Sequence, residues 1–296
     1  MWRAALLFGL YAAWIAAVSP TVYDNLSTME ARHAMVTERF LVRPSMPEAV
    51  LVGSSMSRAL EKGLAESGAP EIYDLGFFGG SPLTGNALLL HGKTLPRLVV
   101  IEVNNLRQPA AEAFLQEMLG PPWGWLRLHC PALRTEYQLL RVIQSGARTL
   151  GHRIAGSPLD PPRSDVEPPT PHLEEGIAFA HRADETFQAT VWKQVPKNLD
   201  RLAVQVDELR SRGVQVLFLY LPPDPRVEGS EFRTYLRGAV LARFPKAEWP
   251  WLDFPVDGSY RTTDGVHLTG PSARRASARI RERVREMLSA APPAGR

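Results

Sequence analysis

The chain has 296 residues, enough for one large domain or two small ones. Hydrophobic residues make up 45% and charged residues 22%, which excludes a disordered polar chain. The 34 Lys and Arg nearly balance the 31 Asp and Glu, giving a formal net charge of +3 with no basic block, so nothing supports nucleic-acid binding. A single cysteine, Cys130, excludes an internal disulfide and a cysteine-based zinc cluster.

The first predicted element is "AALLFGLYAAWIAAVSPTV", Ala4 to Val22, which carries no charge. Its length predicts one membrane crossing as an uncleaved anchor, with Arg3 inside and the rest of the chain extracytoplasmic, periplasmic or extracellular. A cleaved signal peptide is the rival, although Trp14, Ile15 and Pro20 crowd any small-x-small cleavage site. This divides the chain into an anchor (1–24), a polar helical connector (25–46) and a main domain (47–292).

Strand and helix then alternate. "AVLVG" reads as a buried strand, "SRALEKGLAESG" as a helix closed by Gly68, and "EIYDLG" as a second strand. "PLTGNALLLHGK" begins a helix at Pro82, and "RLVVIEVN" is a β-branched third strand. The order predicts an α/β fold: a flavodoxin-like, three-layer α/β/α sandwich around a central parallel sheet.

Residues 106–195 interrupt this rhythm with an insertion far longer than a usual connection. It has helix-like pieces and a run, "SPLDPPRSDVEPPTPH", with six prolines, expected to be extended and mobile. "KNLDRLAVQVDELRSRG" resumes the pattern as an amphipathic helix ended by Gly213, and "VQVLFLYLPP" is the next strand. "AEWPWLDF" holds a short last strand, and a final helix starts near Pro271.

Four short motifs fall at strand ends or before the last helix, where open α/β sheets gather their chemistry. In "GSS", Gly53 to Ser55, a serine meets a helix start; taken singly, an N-cap is its commoner use. "DLGFFGG", Asp74 to Gly80, offers a glycine whose N–H can approach a ligand, or a plain turn. "IEVNN", Ile101 to Asn105, offers an amide that can donate to an oxyanion, or a turn asparagine. "TTDGVHLTG", Thr262 to Gly270, places Asp264 and His267 three apart. An Asp there can orient an imidazole that takes a proton from a serine. The other histidines (His33, His91, His129, His152, His172 and His181) fall on predicted helices or in the insertion.

In their joint order the motifs resemble the blocks of the SGNH (GDSL-like) hydrolase superfamily, over residues 47–107 and 196–290. The resemblance implies Ser55 as nucleophile, Asp264 and His267 as its partners, and an oxyanion hole from the Ser55 and Gly79 N–H groups and the Asn104 amide. It implies no cofactor and no metal. Three positions depart from the family's Gly-Asp-Ser and Gly-x-Asn-Asp blocks: Ser54 stands for Asp, Glu102 for Gly and Asn105 for Asp. With the membrane helix and the insertion, the chain looks like the membrane-anchored branch, which includes D-alanyl-transfer proteins of the DltD type and alginate-acetylation proteins of the AlgJ and AlgX type. That branch implies a serine O-acyltransferase or acyl esterase with an acyl ester donor, a cell-surface or secreted glycan acceptor, and a membrane-bound O-acyltransferase as partner. The insertion would serve as lid or acceptor surface. Two rivals stand beside it. One is a catalytically silent scaffold of the same fold. The other, a flavodoxin-like nucleotide binder, is disfavoured because no usual phosphate loop follows the first strand.

Overall fold

The computed structural model describes the chain except for residues 1, 18–28, 59, 65–69, 139–142, 144–146, 148–149, 152–153, 157–165, 187 and 291–296. In chain order the helices and strands begin with α1 (Trp2–Ala17), α2 (Met29–Leu41), β1 (Ala49–Gly53), α3 (Ser55–Arg58), α4 (Glu61–Leu64) and β2 (Ile72–Gly76). Next come α5 (Pro82–His91), β3 (Leu98–Glu102), α6 (Glu112–Leu119), α7 (Trp123–His129), α8 (Leu173–Thr186) and α9 (Gln188–Ser211). The last are β4 (Gln215–Tyr220), α10 (Pro225–Glu228), α11 (Glu231–Arg243), β5 (Trp251–Asp253) and α12 (Gly270–Ser289). The chain divides into two compact units, Met1–Pro44 with Glu112–Arg163, and Ser45–Ala111 with Ser164–Arg296. The long insertion is therefore shared between them.

The first unit is helical. Its polar centre is Glu38, whose side chain is 1% exposed. The carboxylate accepts from the N–H and hydroxyl of Thr135 at 2.8 and 2.9 Å. Burial pushes the Glu38 carboxyl up, against the pull of those hydrogen bonds and of Arg127.

The expectation of a membrane-crossing helix is overturned: among the described residues no helix is long and apolar enough to cross a membrane. The described part of the apolar segment lies in α1, which has 16 residues. At 1.5 Å per residue that is about 24 Å, short of the ~30 Å hydrocarbon core. Residues 18–22 of the expected span lie outside the described residues. The single-helix anchor, and the extracytoplasmic placement inferred from it, fall with that span.

The described residues of the second unit form a five-stranded sheet, with strand order β2-β1-β3-β4-β5 and every pair parallel. It is consistent with an SGNH-like arrangement. The strands are short apolar runs because both faces are covered. On one face Leu51, Leu98, Val100, Leu217 and Leu219 pack against Ala276, Ile280 and Val284 of α12. Each large aliphatic side chain buried this way stabilises the fold by about 1.5–3 kcal/mol relative to exposure. On the other face lie α5 and α9, joined where the Gln205 amide donates to the Leu83 carbonyl at 3.0 Å. The α9 helix starts earlier than Lys197, where the amphipathic pattern is expected to begin, and runs through Pro196. Val195 and Leu199, both buried, continue the apolar stripe across the proline.

The strand order reverses between β1 and β3, so the crevice for a ligand opens beyond their carboxyl ends. Ser55 follows β1 there, and Asn104 follows β3.

Candidate active site

Ser55 opens the single turn of α3 immediately after β1. Its backbone N–H therefore has no partner within that turn. His267 and Asp264 arrive from the loop ahead of α12, 212 residues along the chain. The His267 Nε2 atom lies 2.9 Å from the Ser55 hydroxyl, and Nδ1 lies 2.7 Å from Asp264 Oδ2. An ionised carboxylate only accepts, so Nδ1 carries the ring proton and Nε2 accepts from the serine O–H.

The Asp264 turn is closely held. Its Oδ1 accepts from the N–H groups of Val266 and His267 at 3.0 and 2.8 Å. The Gly265 N–H donates to Thr262 Oγ1, and the Gly265 carbonyl accepts from the Asp224 N–H. Gly265 has φ of +87°, a left-handed conformation that favours glycine. Burial pushes the Asp264 carboxyl up, but hydrogen bonds from the His267 ring and backbone outweigh it and hold the carboxyl down at about 2. The acid is thus ionised at neutral pH.

The other expected site residues divide. Asn104 lines the same cavity as Ser55 and His267, a space of about 170 Å³. Its side chain is clamped to β4: Nδ2 donates to the Leu221 carbonyl at 2.7 Å and Oδ1 accepts from the Leu221 N–H at 2.8 Å. The amide keeps a second hydrogen beyond the one given to Leu221. Gly79 has φ of +66° in an exposed turn and is not among the residues that line the cavity. Asn105 Nδ2 donates to the Gly80 carbonyl at 2.7 Å, tying that turn to the end of β3.

Three further contributors were not among the expected site residues. Gly176 of α8 packs so closely on Asp264 that a Cβ there would lie 2.5 Å from the Asp264 carbonyl oxygen. Glu167, from the proline-rich run, accepts from Ser272 Oγ at 2.7 Å and Arg275 at 3.1 Å, and also from Thr269, fixing the loop just beyond His267. Glu102 is fully buried behind Ser54. Burial pushes its carboxyl up, against hydrogen bonds from Ser54 and Asn104 and the charge of Arg233. All three contacts join residues far apart in sequence, so no local spacing signals them.

No family model matches the chain, and no curated protein matches it. Among solved structures it is similar to a GDSL-like lipase from Bacteroides thetaiotaomicron VPI-5482, with 11% identity and a TM-score of 0.39 over 95% of this chain and 98% of that one. At that identity and TM-score the likeness decides nothing about the site.

Proposed function

We propose that the chain is a serine esterase or O-acyltransferase of the SGNH type, acting through an acyl-Ser55 intermediate on an ester of a cell-surface or secreted glycan. The single observation behind the reading is the Ser55–His267–Asp264 series, at 2.9 and 2.7 Å.

His267 Nε2 removes the hydroxyl proton as Ser55 Oγ bonds to the ester carbonyl carbon, and Asp264 stabilises the imidazolium. The carbonyl oxygen becomes the oxyanion, met by the Ser55 N–H and the remaining Asn104 amide hydrogen. The C–O bond to the alcohol breaks, and His267 returns the proton to the departing alkoxide. Water or a sugar hydroxyl then attacks acyl-Ser55 with His267 again as base, releasing an acid or a transferred ester. An acyl ester donor, a glycan acceptor and a membrane-bound O-acyltransferase as partner follow from the branch resemblance alone.

Residues 54, 102 and 105, the basis for a silent scaffold, are engaged in bonds that brace this site. That favours the enzyme. The test is hydrolysis of p-nitrophenyl acetate with labelling by a fluorophosphonate. Wild type should turn over and label at Ser55, and Ser55→Ala should do neither. Turnover by Ser55→Ala at the wild-type rate refutes the reading.

A further inference from the structure

We propose that Glu102 is a positioning residue: its carboxylate joins the Ser55 turn at the end of β1 to the Asn104 turn at the end of β3, and so fixes the nucleophile against an oxyanion donor. The inference rests on the reading of Ser55 as nucleophile.

Both carboxylate oxygens are committed, each to a different strand end. Oε2 accepts from the Ser54 N–H at 2.7 Å and from the Ser54 hydroxyl at 2.6 Å. Oε1 accepts from the Asn104 N–H at 2.6 Å. Ser54 Oγ also accepts from the Met56 N–H at 3.2 Å, which leaves its proton for Glu102. Asn104 is in turn locked to Leu221. A continuous series of bonds therefore runs across the ends of β1, β3 and β4, directly beneath the nucleophile.

A carboxylate in a fully buried position is costly unless it is fully hydrogen-bonded. These bonds are charge-assisted and short. A neutral amide at 102 cannot replace them, since it has one acceptor atom for N–H donors on two sides. The contact also explains two departures from the family blocks together. Ser54 in place of Asp and Glu102 in place of Gly touch each other, so the carboxylate reaches the turn from β3 instead of arising within the turn.

The test compares wild type with Glu102→Gln, Glu102→Gly, and the pair Ser54→Asp with Glu102→Gly, in the full-length chain. The assay is p-nitrophenyl acetate hydrolysis, normalised to folded protein by circular dichroism. Glu102→Gln is expected to lower kcat by about 10- to 100-fold with KM changed less than about threefold, as for a misplaced nucleophile. Restoring a carboxylate at 54 is expected to raise kcat about tenfold or more over Glu102→Gly alone, a rescue that depends on the carboxylate and not on packing. Wild-type kcat in folded Glu102→Gln, or a pair no faster than Glu102→Gly, overturns the proposal. The pair decides the matter if Glu102→Gln does not fold. If Ser55→Ala keeps wild-type turnover, the nucleophile reading fails; if only the Glu102 variants behave as wild type, the positioning role alone fails.

Discussion

Gly176 is the most informative position for a single methyl group. It lies inside α8, with its N–H bonded to the His172 carbonyl at 2.9 Å. An alanine Cβ there would sit 2.5 Å from the Asp264 carbonyl oxygen, 2.6 Å from its Cα and 2.7 Å from its Cβ. Ordinary contact begins at 3.4 Å, so helix and turn must separate by about 0.9 Å, the difference from 2.5 Å. The neighbouring atoms are backbone, and the turn is anchored through Gly265 and Asp224, so neither side gives without disturbing the Asp264–His267 contact. A shift of about 1 Å in a catalytic group costs roughly 100-fold in rate. Alanine is also a better helix former than glycine by about 1 kcal/mol, which offsets part of the strain. Gly176→Ala should therefore lose about 100-fold in kcat while melting within a few degrees of wild type. Gly238→Ala is the control, since a Cβ there meets nothing within 4 Å; it should keep wild-type kcat. Steady-state kinetics on p-nitrophenyl acetate and thermal melts read both variants. Wild-type kcat in Gly176→Ala would refute the claim that this helix sets the position of Asp264.

Asp264→Asn should lower kcat by about 10,000-fold by favouring the wrong imidazole tautomer, measured with the same ester. The folded Asp264 carboxyl, at about 2, lies below its ordinary 3.8. Its contribution to stability is thus full above about pH 4 and lost as pH falls through about 2. The gap in melting temperature between wild type and Asp264→Asn should close over that window. The stability difference behind that gap should be under about 1 kcal/mol, because the Asp264 side chain is 41% exposed. Gly265→Ala should destabilise by about 1–2 kcal/mol from the left-handed backbone alone, with a further loss from a Cβ placed 2.8 Å from Ile177. Urea denaturation measures that loss, and an unchanged midpoint contradicts it.

The strands were legible because each is a short apolar run ended by glycine, proline or asparagine, and two-sided burial leaves little else possible. Ser55, Asp264, His267 and Asn104 were legible from their order at strand ends, which the sheet converts into proximity. Glu102 read only as a departure from pattern, because its meaning lies in a contact with Ser54 across 48 residues. Gly176 carried no signal, since a glycine's value in close packing belongs to the neighbour that the fold brings to it. The apolar N-terminal run misled for a different reason. Hydropathy reports composition along the chain, whereas a crossing needs a helix both long and apolar enough, and none among the described residues is.

Ser55 and His267 are 212 residues apart. During synthesis from the N-terminus, the hydroxyl leaves the ribosome long before the imidazole exists. On the proposed reading, a serine without a base is a weak nucleophile, so the nascent chain stays inert toward esters until His267 is made. Chains truncated before residue 267 carry Ser55 yet cannot activate it. On that reading, premature termination yields a silent fragment.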